Sequence, residues 1–461
     1  MNLEEKLRQL RQAAEKSSGD RELERQLEWL QRRTPPPVAR PLPAQRVPRG
    51  IEHYVEGRLQ QNARGEYFIA RQALPFGRPY GKLRVGDVSA ADLGALQLFL
   101  EGSALPDPTE LIYLDTETTG LAGGTGTCAF LIGVGAIEGS EFVVRQFFLR
   151  DYPEEKAVLA ALAEVLEGYR GLVTFNGKTF DVPLLETRFA LARQKSPFRR
   201  MLHLDLLHPA RRLWKLRLES CQLTRLEAEV LGLRRQGDVA GSDIPGIYFD
   251  YLRSGDARGL QPVFYHNALD IVTLAALATE VARVIRTESE PCEMRGGSAG
   301  APSLDLFSLS RIFERAGDRE RAVSACRRAL DAGLPAPVEL RALWHLATQH
   351  KRRGEYERAV ELWEQIVRRE CDYLLEALEQ LAIYAEHRRR DARAALEFTE
   401  RALDWLNGTP SPESAAGAGF TTSAKQAARG EVERFTHRLE RLKKKALRDA
   451  APAHLSFARP G

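Results

Sequence analysis

Asp115 and Glu117 are two carboxylates one residue apart at the end of an apolar run, in LDTETTGLAGGTGTCAFLIGVG (residues 114–135). On an extended chain, positions i and i+2 face the same side, so both acids can address one site. Such a pair suits a hard divalent cation, which prefers oxygen ligands. Gly120, Gly123, Gly124 and Gly126 follow at once and raise a competing possibility, a loop that cradles phosphates. A P-loop needs a lysine and a hydroxyl after its glycines, and GLAGGTGT has no such lysine. A dinucleotide fingerprint needs a helix next, whereas CAFLIGVGAI reads as a strand. The glycines therefore read as a loop between neighbouring strands that allows close backbone approach.

Further acids stand at matching places. GLVTFNGKTFDVPLL puts Asp181 after a strand and at the start of a helix, where an aspartate also serves as an N-cap and Pro183 fits the first turn. VFYHNALDIVTLAAL puts Asp270 on a helix surrounded by apolar residues, and a buried carboxylate there needs a partner or a metal. Four carboxylates at one end of a sheet suit two Mg²⁺ or Mn²⁺ ions, the arrangement for in-line phosphodiester displacement.

The strings LDTETTG, FNGKTFD and YHNALD resemble the three successive motifs of the DEDD superfamily of 3′–5′ exonucleases, which share an RNase H-like fold. LDTETTGLAGGTGT is most similar to the bacterial YprB-like branch of that superfamily, and the resemblance covers about residues 110–286. It implies Asp115, Glu117, Asp181 and Asp270 as ligands of two Mg²⁺ or Mn²⁺ ions. It also implies a metal-dependent nuclease, a 3′–5′ exonuclease on single-stranded DNA or RNA. Members carry a tyrosine four residues before the last aspartate, or a histidine five before it. Here the types are exchanged: His266 is four before Asp270 and Tyr265 is five before. Residues four apart share a helix face, so His266 is expected to orient the water, with Tyr265 second. Thr118, Thr119, Asn176 and Phe180, beside the acids, are expected to touch substrate. The exchanged pair also leaves open a catalytically weak, nucleic-acid-binding scaffold, and an endonuclease on the same metal chemistry remains a third reading.

Residues 188–217 hold nine Arg/Lys and one acid, Asp205. Arg211 and Arg212 lie in this stripe and suit a polyanionic strand. Trp214 is expected in the core. In HLDLLH, Asp205 reads as a supporting group rather than a metal ligand.

The elements that position these residues follow from periodicity. Residues 111–115, 128–137, 141–150, 171–175 and 201–207 read as strands. Helices are expected near 154–168, from Asp181, near 209–216 and 220–231, and over 261–286. Strands alternating with helices predict an α/β domain with a mixed sheet, of RNase H-like class by the resemblance, over 111–286. Ahead of it lie a charged helical N-terminus with a Pro-rich linker (1–50) and a small β-containing lead-in region (51–110). A linker (287–302) follows. GDRERAVSACRRAL, GEYERAVELWEQIV and RDARAALEFTERAL then align without gaps, at intervals of 37 and 36 residues. Ala322, Ala359 and Ala395 recur where paired helices touch, so residues 303–449 resemble tetratricopeptide repeats closed by a basic helix. They offer a surface for a protein partner or for nucleic acid. The tail, 450–461, is expected to be disordered.

Bulk properties agree with this reading. The formal net charge of +4 over 461 residues gives no global pull toward nucleic acid, so any basic surface is local. No apolar run reaches the ~18 residues of a membrane span, and the N-terminus lacks a signal-peptide core. Five cysteines without CxxC spacing favour reduced thiols and a cytoplasmic protein.

Overall fold

The computed structural model describes residues 49–100, 103–120, 126–289, 302–369, 371–408 and 422–450. The expected N-terminal helices, nearly all of the Pro-rich linker, most of the 287–302 linker and nearly all of the C-terminal tail lie outside the described residues.

A seven-stranded sheet carries the site. Its strands are β1 (Gly57–Asn62), β2 (Gly65–Pro75), β5 (Leu111–Thr118), β6 (Ala129–Glu138), β7 (Glu141–Phe148), β8 (Gly171–Thr174) and β9 (Leu202–Asp205). The spatial order is β1-β2-β7-β6-β5-β8-β9, while β3 (Pro79–Tyr80) and β4 (Leu83–Arg84) make a separate ribbon. Strands β1 to β5 in that order pair antiparallel, and β5, β8 and β9 run parallel. The region before residue 111 is thus no separate unit: β1 and β2 extend the sheet through β7.

Alternation along β5 decides where the acids go. Leu111 and Tyr113 join one core layer and Ile112 and Leu114 the other. The first layer packs under α6 (Gln261–Ser289). The second packs against α1 (Glu155–Leu166), α2 (Asp181–Leu191) and α5 (Ile244–Ser254). With a period of two, Asp115 continues the α6 side and Thr116 the α2 side.

Two glycines let α6 come close. Gly133 and Gly135 on β6 pair with Asp115 and Tyr113. A Cβ at Gly133 would lie 2.1 Å from Asn267 Oδ1, and one at Gly135 2.3 Å from Ile271 Cγ2. The glycines in this otherwise apolar strand are therefore seats for the helix that carries Asp270.

Helix α3 (Leu207–Trp214) follows β9, and α4 (Leu223–Leu226) runs into a π-helical turn, Glu227–Leu231. Beyond residue 302 the chain is all helical: α7 (Ser303–Arg315), α8 (Arg319–Asp331), α9 (Ala336–Arg352), α10 (Tyr356–Ile366), α11 (Leu374–Tyr384), α12 (Ala392–Gly408) and α13 (Thr422–Ala450). Ala322, Ala359 and Ala395 are fully buried at the helix contacts. Phe435 and Leu442 of α13 close the stack. The first repeat helix also belongs to the core under the sheet, through Leu309, Ile312 and Phe313. Arg217 Nε ties it down, 2.9 Å from Oδ1 of the buried Asp305. Among the described residues, no helix is long and apolar enough to cross a membrane.

Candidate metal centre

Four carboxylates converge at the edge where β5 ends. Asp115 and Glu117 come from β5, Asp181 from the first residue of α2, and Asp270 from the middle of α6. Asp181 does not cap its helix; its Oδ1 instead accepts the Thr116 hydroxyl at 2.6 Å. Asp115 Oδ2 accepts the Asn267 amide at 3.0 Å. No lysine or arginine makes an ion pair with Asp115, Glu117 or Asp181 among the described residues.

This crowding has an electrostatic signature. Burial, then Asp270, Glu117 and Asp181, hold the Asp115 carboxyl well above the usual carboxylate range. Burial and the neighbouring acids push Glu117 up to about 8. Burial raises Asp181 to about 6. Asp270 is raised too, burial outweighing the adjacent Arg235 and His266. Acids that resist ionisation together, with oxygen donors facing one space, fit a divalent cation that would neutralise them. Ligand atoms of Glu117, His266 and Asp270 lie within 4.8 Å of one another and form a group able to hold a metal ion. Asp115 and Asp181 stand outside that tight group, coupled to it through charge.

His266, not Tyr265, reaches the acids. One turn before Asp270, its Nε2 lies 3.3 Å from Asp270 Oδ2. Its Nδ1 lies 2.9 Å from Asp238 Oδ1, and with its proton on Nδ1 the ring donates to that carboxylate, which fixes its orientation. Tyr265 is 44% exposed, and no hydrogen bond ties it to the carboxylates.

The largest surprise is Arg235. Its Nη2 donates to Asp270 Oδ1, and its Nη1 lies 3.0 Å from Asp238 Oδ2. Its Nε and Nη2 also grip Glu227, at 2.7 and 2.6 Å. Glu227 is buried on the π-helical turn and further accepts the Thr273 hydroxyl. A buried guanidinium thus joins three carboxylates behind the site. Sequence reasoning missed Arg235, Asp238, Glu227 and Asn267. Asn267 sits inside the YHNALD string, but nothing in RRQGD announces that Arg235 meets Asp270.

The expected substrate contacts divide. Thr118 Oγ1 bonds the Gly120 carbonyl, and Thr119 pairs with Cys128 across the base of the glycine loop, so both brace that loop. Asn176 takes a left-handed conformation, φ 66°, with its N–H donating to Asp205 at 2.7 Å. Asp205 also accepts from the N–H groups of Lys178 and Leu207, which makes it the anchor of that turn. Phe180 is 55% exposed beside Asp181. Trp214 is buried in the core, while Arg211 and Arg212 are exposed on α3. The basic stripe is partly structural, since Arg188 grips Glu155 and Arg217 grips Asp305.

Fold and site define an RNase H-like domain of nuclease type followed by tetratricopeptide-like repeats. Residues 112–282 match the RNase H superfamily, and residues 303–403 match the tetratricopeptide repeat family. The chain is 31% identical over 297 residues to YprB of Bacillus subtilis (strain 168), described as uncharacterized, covering 64% of this chain and 69% of that protein. It belongs to the YprB family.

Proposed function

We propose that the protein is a metal-dependent 3′–5′ exonuclease that trims single-stranded DNA or RNA. The observation that carries this reading is the convergence of Asp115, Glu117, Asp181 and Asp270, all held above their usual proton affinity, with His266 beside them. The four carboxylates would hold two Mg²⁺ or Mn²⁺ ions, which when bound supply positive charge to the attacking and leaving oxygens. The proposed catalytic domain spans 111–286 and the repeat domain 303–449.

In this reading His266 takes a proton from the attacking water at Nε2, and Asp238 stabilises the imidazolium that forms. Tyr265 has no place in that step. Phe180 offers an exposed face on which the terminal base stacks. Thr118 and Thr119, directly after Glu117, contact the end of the strand. Arg211 and Arg212 hold phosphates. The repeats recruit a protein partner, and the protein works in the cytoplasm. Metal-dependent shortening of an end-labelled strand tests the reading.

One observation favours a second reading, a weak or inactive nucleic-acid-binding scaffold. Arg235 engages Asp270 Oδ1, which leaves one oxygen of that carboxylate for a metal and already supplies positive charge to it. Tight strand binding with no cleavage in either metal would select that alternative.

A further inference from the structure

Between α3 and the first repeat helix α7 lies a groove of about 450 Å³. Arg211, Arg212 and Lys215 line one wall, and Ser308, Arg311 and Arg315 the other. No carboxylate lines it, and none of these five cations makes an ion pair among the described residues. That is unlike Arg188 and Arg217 of the same basic stretch of sequence, which are neutralised by Glu155 and Asp305. Holding cations this close has a cost. Burial and Arg315 push the Arg212 guanidinium below its usual range, and burial, Arg341 and Arg315 do the same to Arg311. Ser308, also on the lining, is buried at 2% exposure, and its hydroxyl has no hydrogen-bond partner. A buried hydroxyl without a partner is expensive, and so is mutual repulsion among arginines; one anionic acceptor relieves both.

We propose that this groove is a phosphate-binding track that holds the backbone of the single-stranded nucleic acid. The first repeat is then part of the nucleic-acid surface. The proposal rests on the nuclease reading for the identity of the polymer. Guanidinium groups present paired donors that match phosphate oxygens, and Ser308 adds a neutral donor. The apolar lining is limited to Leu216 and the buried Ile312, so an acidic peptide would find little to anchor its side chains. Position agrees. Helix α3 starts two residues after Asp205, at the edge where parallel β5, β8 and β9 end and where the catalytic acids stand. The two walls are fixed to each other by the Arg217–Asp305 pair and the shared apolar core, so the track is preformed.

The test is fluorescence anisotropy of the full chain with a labelled single strand of roughly thirty nucleotides, in chelator so that no cleavage occurs. Arg311→Ala with Arg315→Ala should raise Kd about tenfold and flatten the slope of log K against log salt by about 1.4, as for two lost phosphate contacts. Ser308→Ala should weaken binding with no change in that slope. Arg211→Ala with Arg212→Ala, on the opposite wall, should repeat the first result and serves if the first pair misfolds. Arg64→Ala with Arg78→Ala removes the same charge elsewhere and should change neither quantity. An unchanged Kd and slope in both groove variants overturns the proposal, as does a parent chain that binds no strand. Competition by polyglutamate as strong as by unlabelled strand would give the groove to an acidic peptide instead. Cleavage by the parent chain in Mn²⁺ is read separately, so loss of the nuclease reading is distinguishable from loss of the track.

Discussion

Arg235 and Asp270 are bonded to each other: the guanidinium Nη2 donates to Oδ1, while the other oxygen of the same carboxylate faces His266. The acid expected to hold metal is thus already neutralised on one side by a residue 35 positions earlier in the chain. Arg235 also serves Glu227 and Asp238, so it acts as the counter-cation of the whole rear of the site.

Arg235→Ala should therefore leave three carboxylates short of a partner. Breaking a buried pair on one side costs about 3–5 kcal/mol, so a large drop in the metal-free Tm is expected. The variant should also gain more Tm from added Mn²⁺ than the parent chain, because the ion then supplies charge that the arginine supplied before. Thermal unfolding with and without metal checks this, and equal gains would show that Arg235 does not stand in for the cation.

His266→Ala should lower the cleavage rate by about 10²–10⁴, the range for losing a general base, while Tyr265→Phe stays near the parent rate. If both variants cleave at the parent rate, neither residue orients the water.

The legible part of the fold was the part written in local pattern. The continuous apolar run of residues 111–114 identified β5, and three segments aligning without gaps, with alanines recurring at 322, 359 and 395, identified the repeats. The motif strings found the four acids. What the sequence hid were contacts between distant segments: Arg235 with Asp270, Gly133 beneath Asn267, and Asp181 turned toward Thr116 instead of capping its helix. Local propensity carries no information on such pairs, because each is set by how α2, α6 and the loop before α5 dock on the sheet. The region 51–110 was undervalued for the same reason, its strand β2 pairing with β7 some 70 residues later.

The Glu117 carboxyl gives a pH test. Its usual value is 4.5 and in the metal-free fold it is pushed up to about 8. Between those values the folded chain keeps a proton that the unfolded chain has released, so stability is highest below the window and falls as pH rises through it. The metal-free Tm should decline from about pH 5 to pH 8, less steeply in Glu117→Gln. Metal affinity should rise over the same range, since ligands must release protons to bind. A flat Tm across the window in the parent chain would contradict the crowding described above.

Gly133→Ala tests how the helix is seated. The new methyl would overlap Asn267, whose amide donates to Asp115. The overlap should cost about 1–3 kcal/mol of stability. It should also lower cleavage, although the substitution touches no acid. Parent-like stability and rate would mean that α6 does not need the glycine.

The central claim is that the four acids make a working metal-dependent nuclease. The direct measurement follows 3′- and 5′-end-labelled single-stranded DNA and RNA with purified protein in Mg²⁺, Mn²⁺ or EDTA, with Asp115→Asn in parallel. The account predicts stepwise shortening from the 3′ end in metal, none in EDTA, and none from the variant. Cleavage that survives EDTA or Asp115→Asn, or no cleavage of any strand in either metal, would contradict it.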